Sequence, residues 1–209
     1  MKSGAPRLRG FGPPQAEGGG IPNEAAPNRQ LRELATRATI VFDVGQSQAM
    51  SEESANSPVI VQRADILSAT ARSLIEALNA ELLGRYPEEG ACHFRLDANE
   101  VADGQGAFLI AFRSGQPVGC GAVRRIETDT GEVKRMYVVP QERGRGAGRA
   151  LLHAIEAQAR ALGLSRLVLE TGVRQIEAQA LYLRAGFSRI DPFGEYLHSP
   201  LSICMAKTL

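Results

Sequence analysis

Cysteine and histidine are both scarce in this chain of 209 residues, with three of each. Cys92, Cys120 and Cys204 are far apart, odd in number and never arranged as CxxC, which excludes a disulfide framework and fits a reduced, cytoplasmic protein. His93, His153 and His198 form neither an HExxH helix nor a Cys/His cluster, so no metal site is expected. No apolar run reaches the roughly 18 to 20 residues of a membrane span. The N-terminus also lacks the unbroken apolar stretch of a secretory signal, and its glutamates, prolines and glycines argue against a transit peptide. A charge excess is missing too: the formal net charge is +1, with no field to attract nucleic acid or an anionic membrane. Any charged ligand must be handled locally.

What is present divides the chain in two. The first thirty residues hold six glycines and five prolines, a composition that cannot bury enough surface to offset its ordering entropy. Residues 31–45 could make one short element before linker composition returns, and Met50 opens a stretch that reads like a natural start. Residues 1–57 are therefore expected to be a disordered extension and linker, and 58–209 the functional domain. Within that domain, strands are expected at 59–64, 107–113, 117–126, 132–139, 166–170 and 202–207. Helices are expected at 68–86, 147–162 and 175–185, the last two closed by Gly163 and Gly186. A hairpin followed by alternating strands and helices predicts a mixed α/β sheet of about 150 residues.

The stretch "RGRGAG" at 143–148 opens the most regular helix, whose apolar stripe is Ala147, Leu151, Ala154, Ile155, Ala159 and Leu162. Arg149, His153, Glu156 and Arg160 form its polar stripe. A helix start presents unpaired N–H groups and partial positive charge. Glycines there let a ligand approach the backbone, and Arg143, Arg145 and Arg149 would add charge for phosphates. Two better-known phosphate loops are excluded: no Lys-Ser/Thr completes GxxxxGK[ST], and Arg149 stands where GxGxxG needs its third glycine. The spacing reads as a phosphate or pyrophosphate cradle.

At this point the residues resemble a family. "VKRMYVVPQERGRGAGRALL" is similar to the acetyl-CoA motif of the GNAT N-acetyltransferase superfamily, with Arg143, Gly146 and Gly148 on its [RQ]xxGx[GA] signature. "ALYLRAGF" at 180–187 is similar to the family's second motif, and the resemblance covers residues 59–207. It implies a central, mostly antiparallel twisted sheet, splayed at the coenzyme site and flanked by helices. It also implies acetyl-CoA as co-substrate, with its pyrophosphate on the backbone of Arg143, Gly144, Arg145, Gly146, Ala147 and Gly148. The pantetheine arm would pair with Met136, Tyr137 and Val138 as an added strand. One of those N–H groups would stabilise the thioester oxygen.

The same resemblance makes Tyr182 the general acid that protonates the departing sulfur. For the base it leaves Glu132, Glu170 or solvent. Simple alternation puts Glu132 on the same face as Met136 and Val138. Gln175 stands where relatives carry a coenzyme-contacting asparagine. Acceptor-site charges conflict: Glu88, Glu89, Asp97, Glu100, Asp103 and Glu195 would draw an amine, whereas Arg124, Arg125 and Arg135 would hold a carboxylate. The expected acceptor is a small primary amine, amino-acid-like, attacked directly in a ternary complex. A protein amino group and a non-catalytic acyl-CoA sensor are the alternatives, and a homodimer is allowed.

Overall fold

A computed structural model describes residues 57–88 and 96–209. The extension expected over 1–57 falls almost wholly outside the described residues, as do Glu89, Cys92 and His93. The chain runs β1 (Val59–Arg63), α1 (Ala69–Arg85), β2 (Gly106–Arg113), β3 (Gln116–Arg125), β4 (Thr130–Val138), α2 (Ala147–Ala161), β5 (Arg166–Gly172), α3 (Ile176–Arg184), β6 (Ser188–Ile190) and β7 (Ser202–Thr208). Every strand and helix expected after Pro58 is present, with ends displaced by one or two residues. The short β6 was missed, because three residues carry too little alternation to register.

The strands form one mixed sheet in the order β1-β2-β3-β4-β5-β7-β6. All neighbours are antiparallel except β4 and β5. Ser114 and Gly115, at φ 49° and 75°, make the two-residue turn between β2 and β3, the left-handed geometry that matches strand twist. α2 and α3 cover one face through Leu151, Leu152, Ile155 and Tyr182, and α1 covers the other through Leu74 and Leu78. Each large apolar side chain fully buried contributes about 1.5–3 kcal/mol.

The run "GCGA" in β3 follows from this layering. Cβ atoms on Gly119 and Gly121 would stand 2.4 Å from the Tyr137 carbonyl and 2.8 Å from Ile155 Cδ1, so only glycine lets β4 and α2 lie this close. Cys120, pointing the other way, is fully buried with its thiol pushed up to about 12 by desolvation, an inert packing residue. Glu156 departs from expectation. It is buried on α2, with Lys207 of β7 donating to it at 2.7 Å, so a position assigned to the solvated stripe is a satisfied internal ion pair.

Candidate active site

Parallel β4 and β5 pair only from Thr130↔Arg166 to Val133↔Leu169, although β4 continues to Val138 and β5 to Gly172. Beyond that last rung the strands part, and a cleft with a cavity volume of about 110 Å3 opens between them. Leu78, Leu82 and Tyr86 line it from the α1 side, and Ala178 and Tyr182 from the α3 side. The opening therefore passes between two strands of the sheet.

Tyr182 is 4% exposed and stacks at a tilt on Phe187, ring centres 5.8 Å apart. Burial first, and the charge of Glu170 second, push its phenol above the ordinary tyrosine value, so the hydroxyl stays protonated at neutral pH. Glu170 also lines the cleft, and Ser202 Oγ donates to its Oε1 at 2.6 Å. Gln175 lines the cleft with its amide oxygen accepting from Gly172 N–H at 2.8 Å and Thr171 Oγ1 at 3.2 Å, so this side chain fixes the turn between β5 and α3.

Glu132 is placed differently from expectation. In the β3–β4 ladder Cys120 faces Tyr137 and Ala122 faces Lys134, so β4 has one extra residue there. Arg135 absorbs it at φ 60°. The bulge reverses alternation: Met136 and Val138 pack with Val133 towards α2, whereas Tyr137 joins the α1 side with Glu132 and Lys134. Glu132 thus lies on the opposite face from Met136 and Val138, 1% exposed and away from the cleft lining. Its Oε2 accepts from Arg124 Nε at 2.8 Å, and its Oε1 from the Tyr196 hydroxyl at 2.7 Å. Lys134 Nζ donates to Tyr196 Oη at 2.9 Å and to Glu195 Oε1 at 3.0 Å. Neither Lys134 nor Tyr196 had a signal in the sequence, because a charge on a strand reads as solvated until its internal partners are known.

The glycine loop separates into two roles. Gly144 and Gly146 have φ 75° and 91°, and a Cβ at either would meet nothing within 4 Å. These positions combine left-handed backbone with open space, which suits a ligand against the main chain. Gly148 instead lets Leu181 of α3 and Val138 of β4 pack against α2, at 3.3 and 3.7 Å from its missing Cβ. The first N–H to bond within α2 is that of Ala150, to Gly146 at 3.0 Å, so the N–H groups of Ala147, Gly148 and Arg149 have no partner in the helix. That is the donor set a pyrophosphate requires.

The arginines are not gathered as expected. Arg143 donates to the Val138 carbonyl at 2.9 Å and pairs with Glu81 of α1. Arg145 is tied to Glu142 at 2.7 Å. Only Arg149 of the three has its side chain in solvent at the helix start with no ion pair among the described residues. Beneath the loop lies a buried pair invisible to sequence reading. Arg113 Nε donates to Glu142 Oε2 at 2.8 Å, and its Nη2 to the Arg145 carbonyl at 2.7 Å. Removing one partner of a buried pair costs about 3–5 kcal/mol. Arg113→Met should lower unfolding free energy by that order in urea, with partial recovery in Arg113→Met/Glu142→Leu; a loss below about 1 kcal/mol would show the pair to be dispensable.

Most charges expected around the acceptor are committed elsewhere. Glu88 pairs with Arg174, Asp103 with Arg63, and Glu100 with Arg124. Asp97 accepts the backbone of a short turn in a reciprocal capping box with Glu100. Arg125 binds the carbonyls of Thr128 and Leu162. Arg135 lines the cleft, its Nη1 donating to Asn79 Oδ1 at 2.8 Å, whereas Glu195 pairs with Lys134 at 3.0 Å and with Arg124 at 3.5 Å.

A sheet parted between two parallel strands, with a bare glycine loop at the following helix, defines an acyl-CoA N-acyltransferase fold. The acetyltransferase (GNAT) family profile matches residues 72–187. An IAA acetyltransferase of Azospirillum brasilense is 46% identical over 153 residues, covering 72% of this chain and 98% of that one. A Klebsiella pneumoniae structure described as an acyl-CoA N-acyltransferase is 34% identical, with TM-score 0.61 over 72% of this chain and 97% of that one. The PaiA N-acetyltransferase of Thermoplasma acidophilum, solved with coenzyme A, shares the fold at 19% identity and TM-score 0.58, over 73% of this chain and 99% of that one. The chain belongs to the GNAT acetyltransferase family and is an acyltransferase. Among its described residues no helix is long and apolar enough to cross a membrane.

Proposed function

We propose that this enzyme transfers the acetyl group of acetyl-CoA to the primary amine of a small, amino-acid-like acceptor by direct attack in a ternary complex. One observation carries the reading: Tyr182 and Glu170 both line the cleft between β4 and β5, and the glycine loop leads into α2, the helix that follows β4. The residues present suit the coenzyme, since Gly144 and Gly146 leave room against a backbone rich in unpaired donors. When bound, acetyl-CoA supplies an activated thioester. The N–H groups of 144–148 would hold its pyrophosphate, and the edge of β4 beyond Val133 would align its arm.

Glu170, reached directly or through a water, accepts the amine proton as nitrogen attacks the carbonyl carbon. An N–H of Met136–Val138 stabilises the oxygen while charge develops there. As the C–N bond forms and the C–S bond breaks, the Tyr182 hydroxyl gives its proton to sulfur. Exchange with solvent then restores Glu170 and Tyr182. Glu132, with both oxygens engaged, anchors Arg124 and Tyr196 and takes no proton from the acceptor.

The test is release of free thiol from acetyl-CoA across amines, amino acids, polyamines and aminoglycosides. IAA joins the panel because the Azospirillum brasilense relative is named for it. Acceptor-dependent release with an amino acid is the expected result. Tight acetyl-CoA binding by calorimetry without release from any acceptor would reject the catalytic assignment.

A further inference from the structure

The cleft carries charges of both signs at the point where its two strands part. β4 and β5 separate after Val133↔Leu169, so Lys134 and Glu170 are the first residues past the last rung, one on each lip of the opening. Both line the cleft, one cationic and one anionic. Lys134 is 7% exposed, and an ammonium buried to that extent must have its charge met.

Three groups meet it: Tyr196 Oη at 2.9 Å, Glu195 Oε1 at 3.0 Å and Glu132 Oε1 at 3.6 Å. Tyr196 and Glu132 are themselves buried and hold each other, so they are fixed parts of the wall. Glu195 differs from them. Its side chain is 41% exposed, and it rides on the short turn Gly194–Tyr196, next to the cleft-lining Tyr196. The ammonium's only solvent-accessible anionic partner among these three can turn outwards at modest cost: a part-exposed carboxylate keeps much of its hydration, and Arg124, whose Nη2 also stands 3.5 Å from it, retains Glu100 and Glu132.

We infer that the acceptor is an amine that also carries a carboxylate, and that this carboxylate lands on Lys134 in place of Glu195 while the amine faces Glu170. The inference rests on the transferase reading above and narrows its acceptor to a zwitterion. Lys134 and Glu170 on opposite lips match the two ends of such a molecule. A neutral or purely cationic amine would leave Glu195 on Lys134 and gain nothing from it. Lys134 is a specificity-determining residue in this scheme and neither takes nor gives a proton.

Matched pairs test it on the wild-type enzyme: each amino acid against its own carboxamide, of nearly the same shape but without the negative charge. The carboxamide amine is the less basic, so more of it is neutral and ready to attack at pH 7, and any preference for the acid runs against that advantage. A charge-assisted hydrogen bond lost from a desolvated site lowers kcat/KM about ten- to a hundredfold, carried mainly by KM. Lys134→Met should erase the preference while acetyl-CoA affinity, read by calorimetry, stays the same. Glu195→Ala should lower KM for the acid severalfold and leave that of the carboxamide unaltered.

Equal kcat/KM for acid and carboxamide, both turned over with thiol release, overturns the inference and leaves the transferase reading intact. A preference that survives Lys134→Met, or a KM for the acid that Glu195→Ala does not lower, overturns it as well. Absence of thiol release from every acceptor is a failure of the transferase reading itself.

Discussion

Gly146→Asp should abolish acetyl-CoA binding, with affinity reduced at least a hundredfold by calorimetry. Gly146 stands at φ 91° immediately before α2, and a Cβ there would meet open space, so the substitution is not blocked sterically. It brings two penalties. The left-handed conformation costs a non-glycine residue about 1–2 kcal/mol in the free protein. The second acts only on the complex: a carboxylate roughly 5 Å from a phosphate charge, at an effective dielectric near 20, repels it by about 3 kcal/mol per charge pair. Gly146→Ala separates the two, since it carries the backbone strain without the charge, and should bind far better than Gly146→Asp. Unchanged affinity in the aspartate variant would remove the pyrophosphate from this loop.

Tyr182→Phe should preserve both the fold and acetyl-CoA affinity and reduce kcat by about a hundredfold or more, the range for loss of a positioned proton donor. Among the described residues the Tyr182 hydroxyl makes no hydrogen bond, so its deletion leaves no partner stranded, and the ring's contact with Phe187 is kept. Because burial raises this phenol above its ordinary value near 10, the wild-type enzyme should lose no rate to its ionisation anywhere below that pH. A decline between pH 7 and 10 that persists in Tyr182→Phe belongs to another group. Turnover equal to wild type in the phenylalanine variant would end the assignment and leave proton donation to solvent.

The order of the elements was legible in the sequence because each depends on local pattern. Short apolar runs marked β2 and β3, and the spacing of Leu151, Ile155 and Ala159 marked α2. The glycine loop was legible for a related reason, since the need for positive φ at Gly144 and Gly146 writes a residue type into the chain. The resemblance then tied that loop to Tyr182, and Tyr182 does line the cleft.

Position across the sheet was another matter. One extra residue at Arg135 turns the face of everything after it, and the identity of an arginine does not announce a bulge, so counting by twos put Glu132 on the face of Met136 and Val138. Charge followed the same rule. Arg143 and Arg145 read as phosphate ligands, yet Glu81 and Glu142 hold them, because ion pairs join residues that only the fold brings together. The sequence by itself therefore determined the elements, the family and the open glycine loop, all of which depend on neighbours within a turn or a strand. Tertiary structure alone decided which carboxylate borders the opening and which cation waits beside it. Those choices turn on the desolvation of Glu132 and Lys134 among partners drawn from β3, β4 and the turn before β7.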